Sequence, residues 1–174
     1  MTNCHPGCKG PLKPEVIQST DFDKRFPASS VLVLGETGDL RENDNFWLAE
    51  RFKTIGQGFT LKLDNCTRII TGCLIKNLGL GSGGRATKKF KVSGSLNKSG
   101  PWKILVQDQL SDTRRLRDAL MSNFTFEEPA KIQFLKFDLV SYWGHGGGLQ
   151  YFAPIPAASK EIYTNQGIQL ANYS

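Results

Sequence analysis

The chain holds little of what a hydrolytic or metal-dependent enzyme uses. Among 174 residues there are two histidines, His5 and His145, and four cysteines, at positions 4, 8, 66 and 73. No G-x-S-x-G elbow occurs, and the sequence places no Ser or Cys beside His145, so nucleophilic catalysis has no support. Cys4 and Cys8 flank His5, but no second Cys or His pair follows to complete four ligands, which argues against structural zinc. The two neighbouring carboxylates Glu127 and Glu128 precede Pro129 and read as a solvated turn rather than a glycosidase pair. The glycine run at 81–85 lacks the Lys-Ser/Thr of a phosphate loop and leads into a strand pattern instead of a helix, which excludes a nucleotide fold. No apolar run approaches the ~18 residues of a membrane-spanning helix. No charged segment followed by an apolar stretch opens the chain, so a secretory signal is absent or already removed. The expectation is a non-catalytic protein.

Glycine and proline are plentiful instead, 18 and 8 residues respectively, which favours many short strands over long helices. Residues 1–25 carry Cys, Pro and Gly without periodicity and read as an entry arm. Ser29 to Leu34 is a short apolar run suited to a strand. Phe59 to Leu63 alternates with period two, Arg68 to Lys76 is more uniformly apolar and so central, and Lys89 to Ser93 alternates again. Trp102 to Val106, Ile132 to Leu139 and Leu149 to Phe152 complete the strand patterns. Asp108 to Met121 is the one helix candidate, with Ser111 or Asp112 as cap and Leu116 and Leu120 four apart. Trp47 and Trp102 adjoin apolar runs and are assigned to the core. About eight short strands without a βαβ rhythm predict an all-β antiparallel sandwich or jelly-roll with one short helix. The domain spans residues 26–155, and residues 156–174 form a tail.

Charge is unevenly placed. From Arg41 to Lys103 there are 12 Lys/Arg against 4 Asp/Glu, a balance of +8, whereas the rest holds 10 against 12, or −2. Such a field speeds association with anionic surfaces. The acidic loop with Asp39, Asn43 and Asp44 clusters oxygen ligands suited to calcium, whose role would be to stiffen the loop. Arg114 and Arg117 are flanked by Asp112 and Asp118, which predicts local pairing rather than a nucleic-acid grip, so nucleic acid is disfavoured as a partner. Trp143 lies among glycines in Trp143 to Gly148, where an exposed ring could pack on the C–H face of a sugar while His145 reads a hydroxyl. Four N-x-Ser/Thr sequons, at Asn65, Asn97, Asn123 and Asn172, lean towards an extracellular or cell-surface setting, with a cytoplasmic one as the alternative.

Four stretches together resemble a galactose-binding-domain-like fold, specifically the coagulation factor V/VIII type C (discoidin) domain. Ala28-Ser29-Ser30, a loop and then Phe46-Trp47-Leu48 resemble the family's opening. Phe59 to Asp64 followed by Ile70-Thr71-Gly72 resembles its central strands. Lys76-Asn77, a glycine loop and Arg85 to Ser95 resemble its Arg-x-Thr-Lys strand, and Gly100-Pro101-Trp102 matches the Trp that follows. Many members tie their ends with a disulfide, whereas here no Cys follows Cys73. The His and paired-Arg pattern of fucose-binding relatives is not evident, so fucose is not carried over. The resemblance implies a recognition module whose loops at one end bind cell-surface glycan, anionic phospholipid or protein. On this chain those loops are 35–46, 78–87 and 142–149, with Arg41, Arg85, Lys88, Trp143 and His145 as ligand-binding candidates. Glycan is the leading partner. An anionic membrane surface, or an intracellular protein or DNA contact, is the alternative.

Overall fold

The computed structural model describes residue 8, residues 10–35 and residues 45–158. Nine strands run through them: β1 (Glu15–Ser19), β2 (Trp47–Leu48), β3 (Gly58–Lys62), β4 (Arg68–Asn77), β5 (Arg85–Ser95), β6 (Lys103–Gln109), β7 (Met121–Ile132), β8 (Phe134–Gly144) and β9 (Gly148–Pro156). All pairings are antiparallel, in a five-stranded sheet ordered β1-β3-β8-β5-β6 and a four-stranded sheet ordered β2-β9-β4-β7. The sandwich is the all-β architecture that the period-two patterns require.

Alternation explains which face each strand buries. Phe59 and Leu61 of β3, Leu135, Phe137 and Leu139 of β8, and Phe90 and Val92 of β5 point between the sheets and are buried. Trp47, Cys73, Ile75, Leu149 and Phe152 meet them from the other sheet. Phe137 is the hub. It stacks on Phe59 at 5.2 Å and on Phe90 at 5.7 Å, and meets the edges of Trp47 and Phe152 at 6.0 Å. Some strands approach too closely for a side chain: a Cβ at Gly58 would lie 2.0 Å from the Phe137 carbonyl oxygen, and one at Gly148 2.2 Å from that of Trp47. Burial of this kind leaves Cys73 as a free, buried thiol pushed up to about 12 by desolvation.

Several sequence expectations are corrected. The segment after β6 is no helix; residues 110–120 form an irregular loop. Its buried side chains are Leu110, Thr113 and Ala119, a spacing no helical face repeats, while Leu116 and Leu120 are exposed. The backbone is drawn away from helical bonding, since Leu110 N donates to Lys88 O (2.7 Å) and Leu116 O accepts from Leu80 N (2.7 Å). Residues 28–32 form a 3-10 turn instead of a strand, with Ala28 and Val31 facing the core. Part of the entry arm is β1, which pairs with β3. Glu127, Glu128 and Pro129 lie within β7, not in a turn. The step from Ile70 to Gly72 on β4 is matched there by the longer step from Ala130 to Thr125, so the extra residues form a bulge on an edge strand, with Glu127, Glu128 and Pro129 exposed and Phe126 still in the core. Pro156, assigned to the tail, closes β9 instead. Trp102 is only half-buried and lies outside the core.

Cys8 and Cys66 form a disulfide. Arg68 reinforces it, bonded to Asp64 (2.8 Å) and to Gly10 O (2.6 Å). This clamp marks one end of the sandwich. At the other end, β5 begins opposite the end of β8 at Arg85 and Gly144, and β4 ends at Asn77. The connections 49–57, 78–84, 110–120 and 145–147 therefore converge on a single pole.

Candidate functional site

Buried polar groups hold the pole loops together. Asn77, 2% exposed, stands at the end of β4. Its Oδ1 accepts from Leu78 N (3.0 Å) and Thr87 N (2.9 Å), and its Nδ2 donates to Thr87 O (2.8 Å) and Ser111 O (3.3 Å). Thr87 Oγ1 in turn donates to Gly148 O (2.8 Å), and Thr113 Oγ1 donates to Leu78 O. Three loops are thus fixed from one asparagine outward. The glycine loop is consequently no hairpin tip: it crosses from one sheet to the other and is pinned by Ser82 Oγ donating to Arg85 O (2.7 Å).

Glycines then let the loops touch. His145 N donates to Gly84 O (3.1 Å), and Phe52 N donates to His145 O (3.0 Å). Gly84 and Gly144 hold φ of +75° and +74°, and a Cβ at Gly144 would lie 2.0 Å from Gly84 O. Arg114 Nη1 approaches the same point to 2.6 Å.

The structure brings some sequence candidates together and separates others. His145 is exposed at the pole, edge-on to Phe52 with ring centroids 5.7 Å apart. Arg85 is 5% exposed. Its guanidinium lies 4.0 Å from the centre of the Phe22 ring and donates to Ala49 O (3.4 Å). Burial, and then the neighbouring Arg51 charge, lower its pKa. Arg85 therefore acts beneath the surface. Trp143 is half-buried rather than an open plate: Nε1 donates to Leu110 O (3.2 Å), and the Lys88 ammonium sits 4.4 Å from the ring centre. Arg41 and the calcium candidates Asp39, Asn43 and Asp44 lie outside the described residues, as do Cys4, His5 and Asn172. The sequon residues Asn65, Asn97 and Asn123 are exposed.

The loop 49–57 was not singled out from sequence, yet it supplies the most prominent surface. Phe52 is 62% exposed and has φ +58°, a left-handed conformation unusual for a bulky residue. The Arg51 guanidinium lies 5.5 Å from the Phe52 ring centre. Ile55, on the same loop, is 95% exposed. The sequence signal was an aromatic between Arg51 and Lys53, an apolar side chain with no core partner in register. Across Gly144, Arg114 forms a two-pronged pair with Asp112 (2.9 and 2.7 Å), and that bond holds the Asp112 carboxyl down to about 2. The pole thus carries an open aromatic ring, an imidazole and guanidinium groups.

Among the described residues one group has metal-ligand proximity, Cys8, Asp64 and Cys66. Its sulfurs are joined to each other and its carboxylate is bonded to Arg68, so the donors are already engaged.

No protein-family model and no curated protein matches this sequence. Solved structures do. A CBM32-3 module from a family 31 glycoside hydrolase of Clostridium perfringens aligns with TM-score 0.64 and 15% identity over 83% of this chain and 92% of the module. The family 32 carbohydrate-binding module of NanJ from the same organism, solved in complex with galactose, aligns with TM-score 0.58 and 14% identity over 82% and 92%. A third C. perfringens module, CpGH89CBM32-5 in complex with GalNAc-β-1,3-galactose, aligns with TM-score 0.58 and 11% identity over 83% and 94%. The fold is galactose-binding-like, of the discoidin type. At these identities the likeness concerns the backbone, and the site must be judged on the side chains of this chain.

Proposed function

We propose that this galactose-binding-like domain is a non-catalytic, extracellular or cell-surface module that binds glycan through its pole loops. The observation that carries the reading is the Phe52 ring, held open by a left-handed backbone, with His145 at its edge and Arg51 over it. A sugar presents one apolar C–H face and a rim of hydroxyls, which an aromatic plate flanked by an imidazole and a guanidinium can read together. Arg85 and the Lys88–Trp143 pair support the loops from below. The galactose and GalNAc-galactose complexes of the structural neighbours support a galactose-type sugar as the first ligand to try. The test is a glycan array followed by calorimetry on the hits, with and without calcium. Phe52→Ala should weaken binding by about thirtyfold, the ~2 kcal/mol of an interface anchor. A neutral galactose-type hit unaffected by this substitution refutes the pole as the site.

One observation favours a second reading. Ile55 is 95% exposed and Leu120 83% exposed, at a pole that also carries Arg51, Lys53, Arg115 and Arg117. Apolar tips within a basic field suit an anionic bilayer. Retention on vesicles containing phosphatidylserine, lost in the double variant Ile55→Ser/Leu120→Ser with sugar binding intact, would establish it. Equal recovery with neutral vesicles would dismiss it.

A further inference from the structure

On the outer face of the five-stranded sheet a cleft of ≈ 310 Å³ opens, reaching the base of the 49–57 loop at Gly56 but lined by neither Phe52 nor His145. Its floor is β3 and β8, where the half-buried Lys136 and Asp138 and the 5% exposed Thr60 face outward, alternating with Phe59, Leu61 and Phe137, which point into the core. One wall is the end of β1. That wall is rigid, because Thr20 bonds Gly58 through both backbone (3.0 Å) and hydroxyl (2.8 Å), and its carbonyl accepts from Trp47 Nε1 (2.9 Å). The opposite wall is the β5–β6 connection, through Lys98, Ser99 and Trp102. This connection folds back over the sheet, so Ser93 and Ser95 are buried although they alternate outward from Val92. Gly100 permits the fold-back: it has φ +93°, and a Cβ there would lie 2.9 Å from Trp102 Cδ1.

The side chains in the cleft are matched to one kind of ligand. Lys136 Nζ stands 5.5 Å from the centre of the Trp102 ring and 3.9 Å from Asp138 Oδ1. An indole, an ammonium and a carboxylate therefore share one concavity. Asp138 also faces Lys91 across the β5–β8 ladder. The charged residues lining the cleft are Lys98 and Lys136 against Asp138, two positive against one negative. The volume is at the lower end of the ~300–1,000 Å³ usual for small-molecule sites, room for a sugar unit rather than a long chain.

We propose that this cleft is a second binding site, separate from the pole, for an anionic sugar unit bearing a carboxylate or a sulfate. The indole offers its apolar face to the ring C–H groups. Thr60 and Ser99 offer hydroxyls, and Lys98 and Lys136 receive the anionic group through charge-assisted bonds. Asp138 holds the Lys136 ammonium near the ring and disfavours a ligand presenting several anions at that edge.

The test uses the whole chain labelled with ¹⁵N. Its three tryptophans, Trp47, Trp102 and Trp143, give three indole N–H signals. The protein is titrated at fixed ionic strength with galactose 6-sulfate, which carries a single sulfate and no carboxylate, with sialyllactose and with neutral lactose. A saturable shift of the Trp102 indole and the Lys98 and Ser99 amides is expected with an anionic probe and not with lactose. The sulfate arm against the sialyl arm tells sulfate from carboxylate. The shift should persist in Phe52→Ala and weaken by about tenfold in Lys98→Ser/Lys136→Gln, with the Trp47 indole reporting an intact core. No saturable shift at Trp102 with either anionic probe, equal response to lactose, or indifference to the double variant overturns the proposal. A response at Trp102 that disappears in Phe52→Ala also overturns it. Pole signals that stay silent with every probe while Trp102 responds count against the pole reading alone.

Discussion

Asn77→Ala is the substitution by which the organisation of the pole stands or falls. The side chain is 2% exposed and serves four backbone groups, three of them buried (the N–H of Leu78 and the N–H and C=O of Thr87) and the fourth the C=O of Ser111. Alanine keeps the backbone and removes every one of these partners. A buried polar group left without a partner costs about 1–3 kcal/mol, and penalties within one network do not add in full. Part of the cost is recovered, because Ser111 is exposed and water can reach its carbonyl. The expected loss is about 3 kcal/mol, which for a chain of this length lowers Tm by about 6–12 °C. Equilibrium unfolding in urea should show a lower midpoint at unchanged slope. Amide exchange should quicken at residues 78–84 and 110–113 before it changes in β3 or β8, because the former hang on Asn77 and the latter on Phe137. Asn77→Asp should be no milder. Its oxygens can still accept from Leu78 and Thr87, but they would face the Thr87 and Ser111 carbonyls without a donor and carry a buried charge. A loss below about 0.5 kcal/mol in Asn77→Ala, or uniform exchange across the chain, would refute the idea that this residue organises the pole.

Further outcomes follow from the same contacts. Gly58→Ala and Gly148→Ala should each abolish or severely weaken folding, since a Cβ would lie 2.0 and 2.2 Å from strand carbonyl oxygens; a native-like spectrum and melting point in either would contradict the register. The Cys73 thiol, raised to about 12 by burial, should resist a thiol reagent in the native state and react on unfolding. Its folded pKa lies above the unfolded value, so its contribution is intact below about pH 9 and is lost as pH climbs towards 12; at about pH 10.5 the chain should have lost about 2 kcal/mol more than Cys73→Ala has. Reducing the Cys8–Cys66 bridge, which closes a separation of 58 residues, should lower stability by up to about 4 kcal/mol while leaving Phe52-dependent sugar binding at the far pole in place; loss of that binding on reduction would mean that the two ends are coupled.

What could be read from the sequence was whatever alternation encodes. Phe59-Thr60-Leu61 and Phe90-Lys91-Val92 declare one buried face each, and both faces meet at Phe137. β1 escaped because its burial is partial: it is an edge strand, so Glu15 and Gln18 face solvent and Val16 only half-packs. The false helix at 108–121 shows the opposite error. Leu116 and Leu120 carry helical spacing, but the groups that decide the backbone are the carbonyls and amides of Lys88 and Leu80, far away in sequence. His145 was visible as a polar residue in a glycine loop. Phe52 was not, because an exposed aromatic in a charged run declares no period. Trp143 and Trp102 both end half-buried, one more covered and one less than expected, for a related reason: composition around an indole does not say which strand or loop covers it.

The bulge of β7 bears on how copies of this domain behave when crowded. Its free edge presents Glu127 and Glu128 side by side, and Pro129 has no amide hydrogen to give. An approaching strand would meet electrostatic repulsion and a gap in the ladder, so this flank does not zip onto a neighbour. Copies of this domain at high concentration would therefore stay separate along this side.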